Sequence, residues 1–353
     1  MPNKVVSPKR ITYEKAIALS LAQEMERDPS VFVYGLDVTD HKKIFGSTKG
    51  LEKFPEKRFF GTPLAEDAMT GVGLGAALNG LRPVHVHIRV DFLLLAMNQL
   101  ANMIAPAHFG SGGKLKVPLV IRAVIGRGWG QAFQHSKSLQ SIFVHIPGLV
   151  VVMPSNAYDV KGLLASAIRS DNPVIFLEHR WLYWLEGKVP VKPYTIPFGK
   201  AKVVRKGKDV TVVATSWMNV EAYKAAEILE KKQGVEVEII DPRTIYPLDE
   251  AAIVRSVQKT GHLIVADYDW AFCGFSAEVA AMISEKCFGI LKSPVTRIAF
   301  PHTQCATTRP LENEFYPNAV DIIRAIEKKL KLKPTNLKGE EFYSWENRFK
   351  GPF

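Results

Sequence analysis

The first half of the chain alternates between two patterns of apolar residues. In several segments apolar residues recur every three or four positions, which predicts amphipathic helices over 12–29, 61–78, 92–105 and 157–170. Short runs that are apolar almost throughout predict buried strands over 31–38, 82–90, 117–126, 148–155 and 172–179. Such strands, separated by helices, are typical of a parallel sheet that is covered on both faces. His85, His87 and Arg89 depart from this pattern and predict that strand 82–90 has one wetter face.

A stretch without periodicity divides the chain and is followed by a second alternating series. Residues 180–202 are rich in proline and glycine, which predicts a connection between domains. Beyond it, the pattern predicts strands over 209–215, 235–244, 262–269 and 294–301, and helices over 219–232, 249–260, 275–288 and 318–333. We therefore predict an α/β chain with two doubly wound domains, 1–187 and 207–333, joined by a linker at 188–206. The aromatic and polar tail, 334–353, either straps across this chain or a neighbour, or is disordered.

Composition places the chain among ordinary globular proteins. Of its 353 residues, 47% are hydrophobic and 23% are charged, and no apolar run approaches the roughly 20 residues of a membrane helix. The opening residues "MPNKVVSPKR" lack the apolar segment of a secretory signal. Cys273, Cys287 and Cys305 are odd in number and far apart, which favours free thiols over a disulfide framework or a metal site. We expect a cytoplasmic protein with no membrane partner.

The net charge of +11 raises the question of a nucleic-acid partner. The basic residues are spread along the chain, and neither a zinc spacing nor an RNA-binding signature accompanies them. A solvated basic surface, or one that faces an acidic protein, explains this distribution better. We expect no nucleic acid.

The segment "GTPLAEDAMTGVGLGAAL" places two acids at the start of a helix that otherwise is apolar. In one interpretation Thr62 is the N-cap, Pro63 is the first helical residue, and Glu66 and Asp67 interact with the helix dipole. In the other, a carboxylate at a buried helix start handles a proton. On the residues alone, the enrichment of acids in first helical turns favours the dipole interpretation.

Two further stretches have alternative interpretations. The glycines of "GVGLGAALNG" suit either close helix packing or phosphate binding, but no strand leads directly into them, so packing explains them better. The loop "GRGWGQAFQHSKSLQS" follows a predicted strand, where parallel sheets commonly carry functional residues. From the residues alone, His135 in this loop is equally well explained as a surface residue or as a catalytic one.

Over residues 10–330 the chain resembles a known family. The matching stretches include "FFGTPLAEDAMTGVGLGAAL" and "QHSKS", together with residues 91–105, 147–178 and 240–267, in the same order and spacing. They resemble the β subunit of the thiamine-diphosphate-dependent 2-oxo acid dehydrogenases, and more widely the last two domains of transketolase. The resemblance implies a pyrimidine-binding domain followed by a transketolase C-terminal-like domain.

This resemblance assigns roles to three residues. Glu66 matches the family glutamate that hydrogen-bonds the aminopyrimidine ring of thiamine diphosphate, where an acidic proton favours the ring's imino form. Phe92 matches the aromatic residue that stacks on the same ring. His135 matches the histidine near the substrate carbon and the entering acyl acceptor. The resemblance thus favours the catalytic interpretation of Glu66.

The resemblance also implies a partner chain and metal ions. The family holds the cofactor's diphosphate and its Mg²⁺ with a "GDG…N" motif, which this sequence lacks. An α subunit would supply that motif, in an α2β2 assembly with the cofactor between subunits. The family also binds K⁺ through backbone carbonyls that correspond here to Ala167, Ile168 and Asn172. Ser170 stands where an aspartate is common in the family.

Several departures from the family leave the reaction open. The family has other residue types at the positions of Leu36, Arg89, Leu95, Lys137 and Gln140, and another sequence in place of "HTQCATT". One interpretation is a subunit that decarboxylates a 2-oxo acid, and another is a split transketolase-like transferase of a specialised pathway. A non-catalytic scaffold is the third, although Glu66, Phe92 and His135 count against it. We expect small-molecule donors and acceptors, and we do not expect an efficient transfer to a lipoyl carrier.

Overall fold

The computed structural model describes residues 8–127 and 130–342. Residues 1–7, residues 128 and 129 of the loop that carries His135, and residues 343–353 of the predicted tail lie outside the described residues. The strands, in chain order, are β1 (Lys9–Thr12), β2 (Val31–Gly35), β3 (Phe59–Gly61), β4 (Arg82–His87), β5 (Val120–Ile125), β6 (Val150–Val152), β7 (Val174–His179), β8 (Glu186–Val189), β9 (Lys202–Arg205), β10 (Val210–Ala214), β11 (Val237–Asp241), β12 (Thr244–Tyr246), β13 (Leu263–Trp270) and β14 (Thr296–Phe300).

The α-helices, in chain order, are α1 (Tyr13–Arg27), α2 (Glu66–Leu78), α3 (Val90–Leu93), α4 (Ala107–Gly110), α5 (Gln140–Val144), α6 (Ala157–Arg169), α7 (Met218–Gln233), α8 (Glu250–Thr260), α9 (Phe275–Cys287), α10 (Arg309–Phe315) and α11 (Ala319–Leu330). Every predicted strand overlaps an observed strand. The elements that the pattern missed are short, such as β1, β3, β8, β12 and α10.

Contacts divide the described residues into two compact units that are not contiguous in sequence. The first takes in 8–126, 138–199 and 243–247, and the second takes in 127, 130–137, 200–242 and 248–342. The predicted domain boundaries stay a prediction.

The first unit contains a mixed sheet that is mostly parallel. The strand order is β12-β6-β7-β5-β4-β2-β3, and every neighbouring pair is parallel except β12 with β6. Helices α1 and α6 pack against each other, and α2 packs against β4. Strand β1 pairs with β8 in a separate antiparallel ribbon.

Two glycines allow the close approaches on which this unit depends. Gly35 ends β2 between β3 and β4, and a Cβ at this residue would lie 2.3 Å from the carbonyl oxygen of Val86. Gly73 of α2 lies against β2, and a Cβ there would lie 2.3 Å from the hydroxyl oxygen of Tyr34. That hydroxyl donates a hydrogen bond to the carbonyl of Met69, at 2.8 Å. Close helix packing therefore accounts for Gly73.

The predicted start of the second helix is wrong. The helix begins at Glu66 with Ala65 as its N-cap, and no side chain caps it. Thr62 was expected as the N-cap, but its backbone N–H donates to the Gly35 carbonyl at 3.1 Å and so extends the edge of the sheet. Helical dihedrals are also disfavoured for a residue that precedes proline, such as Thr62 before Pro63.

The apolar helix predicted over 92–105 is interrupted. It consists of α3, a 3₁₀ turn at Leu94–Ala96 and a π-helical segment at Gln99–Ile104, and Pro106 precedes α4. Within residues 8–127 and 130–342, no single helix has both the length and the apolar composition that a membrane crossing needs. Segments Val90–Ala96 and Gln99–Gly110 reach that length together, but they are bent by 61° to each other.

The expected wetter face of strand 82–90 is also wrong. Pro83 to His87 are all buried, and Arg89 is only 2% exposed. The His85 ring stacks on Tyr34 with centroids 4.4 Å apart, and the His87 ring lies 4.2 Å from that of His85. These polar side chains are therefore shielded from bulk water.

The second unit is a smaller α/β layer structure. Its sheet has the order β14-β13-β10-β11-β9, in which β9 pairs antiparallel with β11 and the other neighbours are parallel. The central strands β10 and β11 are buried along their whole length. Together the two units confirm the predicted α/β class with sheets that are mainly parallel.

Candidate functional site

A cleft lies in the first unit where β2, β3 and β4 end. The parallel register pairs Gly35 with both Gly61 and Val86, so the residues that follow these strands meet at one edge of the sheet. The cleft is lined by Leu36, residues 62–66, Met69, residues 85–89 and Phe92. This edge of a parallel sheet is where ligands commonly bind.

Glu66 and Phe92 lie in this same cleft. Glu66 is the first residue of α2 and is half-buried, whereas the neighbouring Asp67 is exposed. Phe92 belongs to the short helix α3, which follows β4 closely, and is also half-buried. A carboxyl group and an aromatic ring on one cleft suit a flat heteroaromatic ligand, because the ring can stack and the carboxyl can exchange a proton with a ring nitrogen.

Two buried histidines reach the cleft from β4. His85 and His87 are 2% and 4% exposed, and both line the cleft. Burial lowers the pKa of His87 to about 4, and burial together with His87 lowers the pKa of His85 well below its usual range. Both imidazoles are therefore neutral near pH 7. Sequence reasoning missed them as site residues, although their i, i+2 spacing on a predicted strand placed both on one face.

A concentration of positive charge lies beside the cleft. Arg89 lines the cleft and donates a hydrogen bond to the carbonyl of Gly126 at 3.1 Å. Burial and the nearby Arg89 lower the pKa of Arg180 to about 9 and that of His179 to about 3. The Arg180 guanidinium also stacks on the Phe45 ring at 3.9 Å. This region therefore favours an anionic or strongly hydrogen-bonding oxygen.

His135 lies in the second unit, so the structure assigns it to a different unit from Glu66 and Phe92. It follows the 3₁₀ turn Ala132–Gln134 and is half-buried. Lys137, two residues later, donates to the carbonyl of Phe133 within the same loop. Gln140 is buried and begins α5 in the first unit.

Both ends of the His135 loop are held by residues 312–316. At the start of the loop, Arg127 forms a buried ion pair with Glu312 at 3.1 Å, donates to Asn313, and lies 5.4 Å from the centre of the Tyr316 ring. At its end, the Tyr316 hydroxyl donates to the carbonyl of Ser136 at 2.7 Å. Burial raises the pKa of Glu312, although the Arg127 guanidinium opposes this rise. The second unit therefore fixes the backbone on which His135 is carried.

The carbonyls predicted to bind K⁺ already accept hydrogen bonds. Arg82 donates to the carbonyls of Ile168 and Ser170 at 3.0 and 2.9 Å. The Ser170 hydroxyl donates to the Asn172 carbonyl, and the Ser170 N–H donates to that of Ala167. K⁺ binding at Ala167, Ile168 and Asn172 stays a prediction.

In the described part of the chain, no three His, Cys, Asp or Glu side chains form a group that could hold a metal ion. Cys273 is exposed, Cys287 and Cys305 are buried, and all three are free thiols.

Comparisons with known proteins match this chain to two transketolase-type domains and to β subunits that contain them. Residues 9–184 match the family described as the transketolase pyrimidine-binding domain, and residues 199–322 match the transketolase C-terminal domain. The chain is 41% identical to the β subunit of acetoin:2,6-dichlorophenolindophenol oxidoreductase of Cupriavidus necator, over 92% of this chain and 98% of that one. It is also 41% identical to the β subunit of 2-oxoisovalerate dehydrogenase of Bacillus subtilis, over 91% and 98%.

A solved structure shares the fold. The inactive β4 tetramer of a split-gene transketolase superposes with a TM-score of 0.75 and covers 92% of this chain and 99% of that one, at 24% identity. At this identity the likeness concerns the fold alone.

The Tyr316 contact predicts that removing one hydroxyl loosens the His135 loop. In Tyr316→Phe, the Ser136 carbonyl loses a donor worth about 1 kcal/mol, so amide hydrogen exchange in residues 130–137 should quicken about fivefold. Mass spectrometry of peptides from this loop measures the effect. Tyr268→Phe is the matched control, because Tyr268 is also buried and donates to a backbone carbonyl, that of Pro317. Equal exchange in both variants would contradict the role of the Tyr316 hydroxyl in holding the His135 loop.

Proposed function

We propose a function from the premise that this chain belongs to the β subunits of the thiamine-diphosphate-dependent 2-oxo acid dehydrogenases and their transketolase-like relatives. The chain is one half of an enzyme that cleaves the bond beside the carbonyl of a 2-oxo acid or ketose donor and transfers the acyl or ketol unit. The observation that carries this proposal is the single cleft that Glu66 and Phe92 share.

The cleft fits the pyrimidine half of thiamine diphosphate. Phe92 would stack on the ring, Glu66 would hydrogen-bond a ring nitrogen, and Leu36, Met69 and Ile88 supply apolar walls. When bound, this cofactor supplies a carbon nucleophile for the donor carbonyl and accepts the electron pair of the bond that breaks.

Glu66 carries the proton chemistry of this chain. Its carboxyl would hold and return a proton at the ring nitrogen that it contacts, which is general acid–base catalysis. Glu66 is half-buried in the isolated chain. Full exclusion of water from this carboxyl therefore depends on the bound ring and on a second chain.

A partner chain completes the site. The sequence lacks the family's "GDG…N" motif, so we propose that an α subunit holds the diphosphate and Mg²⁺, in an α2β2 assembly. Exposed apolar side chains on α2 and on residues 94–109 support this: Val72 is 49%, Leu95 62%, Met103 50% and Phe109 90% exposed. Leu64, which lines the cleft, is 73% exposed as well. Such surfaces mark protein interfaces.

His135 serves the substrate side of the reaction. A half-buried imidazole can hydrogen-bond the donor or the acceptor. Tyr316 and Arg127 position it by fixing the loop on both sides of it. We further propose a cytoplasmic enzyme whose acceptor is a small molecule.

A split transketolase-like transferase is the second candidate. The buried polar side chains of His87 and Arg89 in the cleft favour it, because they suit a hydroxylated donor better than an aliphatic one.

The isolated chain should bind thiamine diphosphate weakly and be inactive, because the groups that hold the diphosphate and Mg²⁺ belong to the partner. Titration calorimetry with and without Mg²⁺ measures this, and the complex co-purified with its α subunit is the control. Tight Mg²⁺-dependent binding to the isolated chain would show that the diphosphate site lies in this chain.

Glu66→Gln should slow turnover of the assembled enzyme by roughly 10²–10⁴-fold, the contribution of a positioned general acid or base. Exchange of the cofactor's C2 proton in deuterated water, followed by NMR, isolates the step. Asp67→Asn is the matched control, because Asp67 is exposed beside it. Unchanged C2 exchange in Glu66→Gln would return Glu66 to a role at the helix start only.

His135→Ala should lower turnover of the assembled enzyme and leave cofactor affinity within a few fold, because its imidazole serves the donor or acceptor. Steady-state kinetics and calorimetry measure the two effects. Phe133→Ala, at an exposed position of the same loop, is the control. An equal loss of cofactor affinity in His135→Ala would make His135 structural.

A further inference from the structure

A buried carboxyl group joins two helices of the second unit. Glu221 lies in the first turn of α7 and is 2% exposed. Its Oε1 accepts a hydrogen bond from the Trp217 indole at 2.8 Å, and its Oε2 accepts one from the backbone N–H of Ala319 at 3.0 Å. Ala319 is the first residue of α11 and is fully buried. Glu221 therefore ties the start of α11 to α7.

The start of α11 adjoins the segment that holds the His135 loop. The Tyr316 hydroxyl donates to the carbonyl of Ser136, which directly follows His135. The Tyr268 hydroxyl donates to the carbonyl of the next residue of the segment, Pro317, at 3.0 Å. The rings of Tyr268 and Tyr316 also meet edge to face, with centroids 5.3 Å apart. Contacts therefore lead from the start of α11 to the backbone beside His135.

We propose that Glu221 is a positioning residue, which holds the start of α11 and, through Tyr316, fixes the loop that carries His135. The inference rests on the proposed function, because it takes its consequence for turnover from the role of His135. All the residues in this set of contacts belong to the second unit, whereas Glu66 and Phe92 belong to the first. Loss of the carboxyl group should therefore affect the His135 loop and leave cofactor activation unchanged.

Glu221 also changes its charge near neutral pH. Burial raises the pKa of this carboxyl to about 7, although its two hydrogen bonds oppose the rise. Two groups face it from neighbouring elements: Asp321 of α11, whose charge raises this pKa further, and Tyr268 of β13. Tyr268 also interacts with the Arg127 guanidinium at the start of the His135 loop.

The hold of Glu221 on α11 should therefore depend on pH. When the start of α11 separates from α7, the carboxyl meets water and its pKa returns to the ordinary value of 4.5. Because the pKa is higher in the closed state, the closed state binds the proton more tightly and is favoured at low pH. The hold weakens as the pH rises from 4.5 and reaches its lower limit above 7. Between pH 6 and pH 8, the open fraction should increase by about tenfold.

Amide hydrogen exchange of the assembled enzyme, measured by mass spectrometry over residues 130–137 and 316–322, tests the inference. After correction for intrinsic exchange rates, the wild type should open about tenfold more at pH 8 than at pH 6. Glu221→Gln should lose this pH dependence, because its amide does not ionise. It should also exchange about fivefold faster than the wild type at pH 6, because the amide nitrogen, unlike a carboxyl oxygen, cannot accept a hydrogen bond.

Two further variants separate the role of the carboxyl from general loosening. Asp321→Asn keeps an oxygen that can accept the backbone N–H of Asn318 at the start of α11, but it removes the charge that raises the pKa of Glu221. The pH dependence should persist in this variant and shift to lower pH. Glu227→Gln, at an exposed position of α7, is the matched control and should behave like the wild type.

Turnover connects the loop to the reaction. Glu221→Gln should lower kcat of the assembled enzyme by about two- to tenfold, because a loosened loop misplaces the imidazole of His135. Exchange of the cofactor's C2 proton should stay at the wild-type rate, because Glu66 is unchanged.

Two outcomes overturn the inference: loop exchange in Glu221→Gln that matches the wild type at both pH values, or unchanged turnover despite faster loop exchange. C2-proton exchange in the wild type reports the proposed function separately. Its absence would overturn the proposed function, whereas intact C2 exchange with wild-type loop exchange in Glu221→Gln would overturn only the role of Glu221.

Discussion

The parallel register of β2 with β3 and β4 is the constraint on which the candidate site depends. Gly35 faces Gly61 on one side and Val86 on the other, and the backbones approach so closely that a Cβ at Gly35 would meet the Val86 carbonyl at 2.3 Å. Because these strands run in one direction, the segments that follow them leave the sheet at one edge. Glu66 and Phe92, which are 26 positions apart in sequence, reach one cleft for this reason.

The electrostatics of the first unit follow from burial. Arg122 and Glu178 are 1% and 0% exposed and pair through two hydrogen bonds of 2.6 and 2.8 Å, and Tyr183 donates a third to the same carboxylate. These hydrogen bonds repay part of the desolvation cost of two buried charges. The histidines of the cleft avoid that cost by staying neutral. Among the described residues that line the cleft, Glu66 is the one acid. A single carboxyl in these surroundings is suited to handling one proton.

The loop of His135 shows how the two units share functional residues. Strand β5 of the first unit leads into it, yet its contacts through Arg127 and Ser136 belong to the second unit. Residues 243–247 make the reverse exchange, since β12 joins the sheet of the first unit although its sequence neighbours lie in the second. The backbone that carries His135 therefore depends on residues 312–316 of the second unit.

The amino-acid pattern was enough to predict the α/β class and every long strand, because these depend on local periodicity. Glu66 and Phe92 became candidates only through the resemblance of the surrounding stretches to a known family. The sequence-based predictions were wrong where a backbone or side-chain group contacts a residue that is distant in sequence. Thr62 was expected to cap α2, but its N–H pairs with Gly35, and the histidines of β4 were expected to meet water, but they pack on Tyr34. The short strands β1, β8 and β12 exist only through pairing with strands far away in sequence, so no local pattern marks them. Tertiary contacts alone revealed that the buried His87 borders the cleft and that Tyr316 holds the His135 loop, because both depend on segments that the chain brings together from a distance.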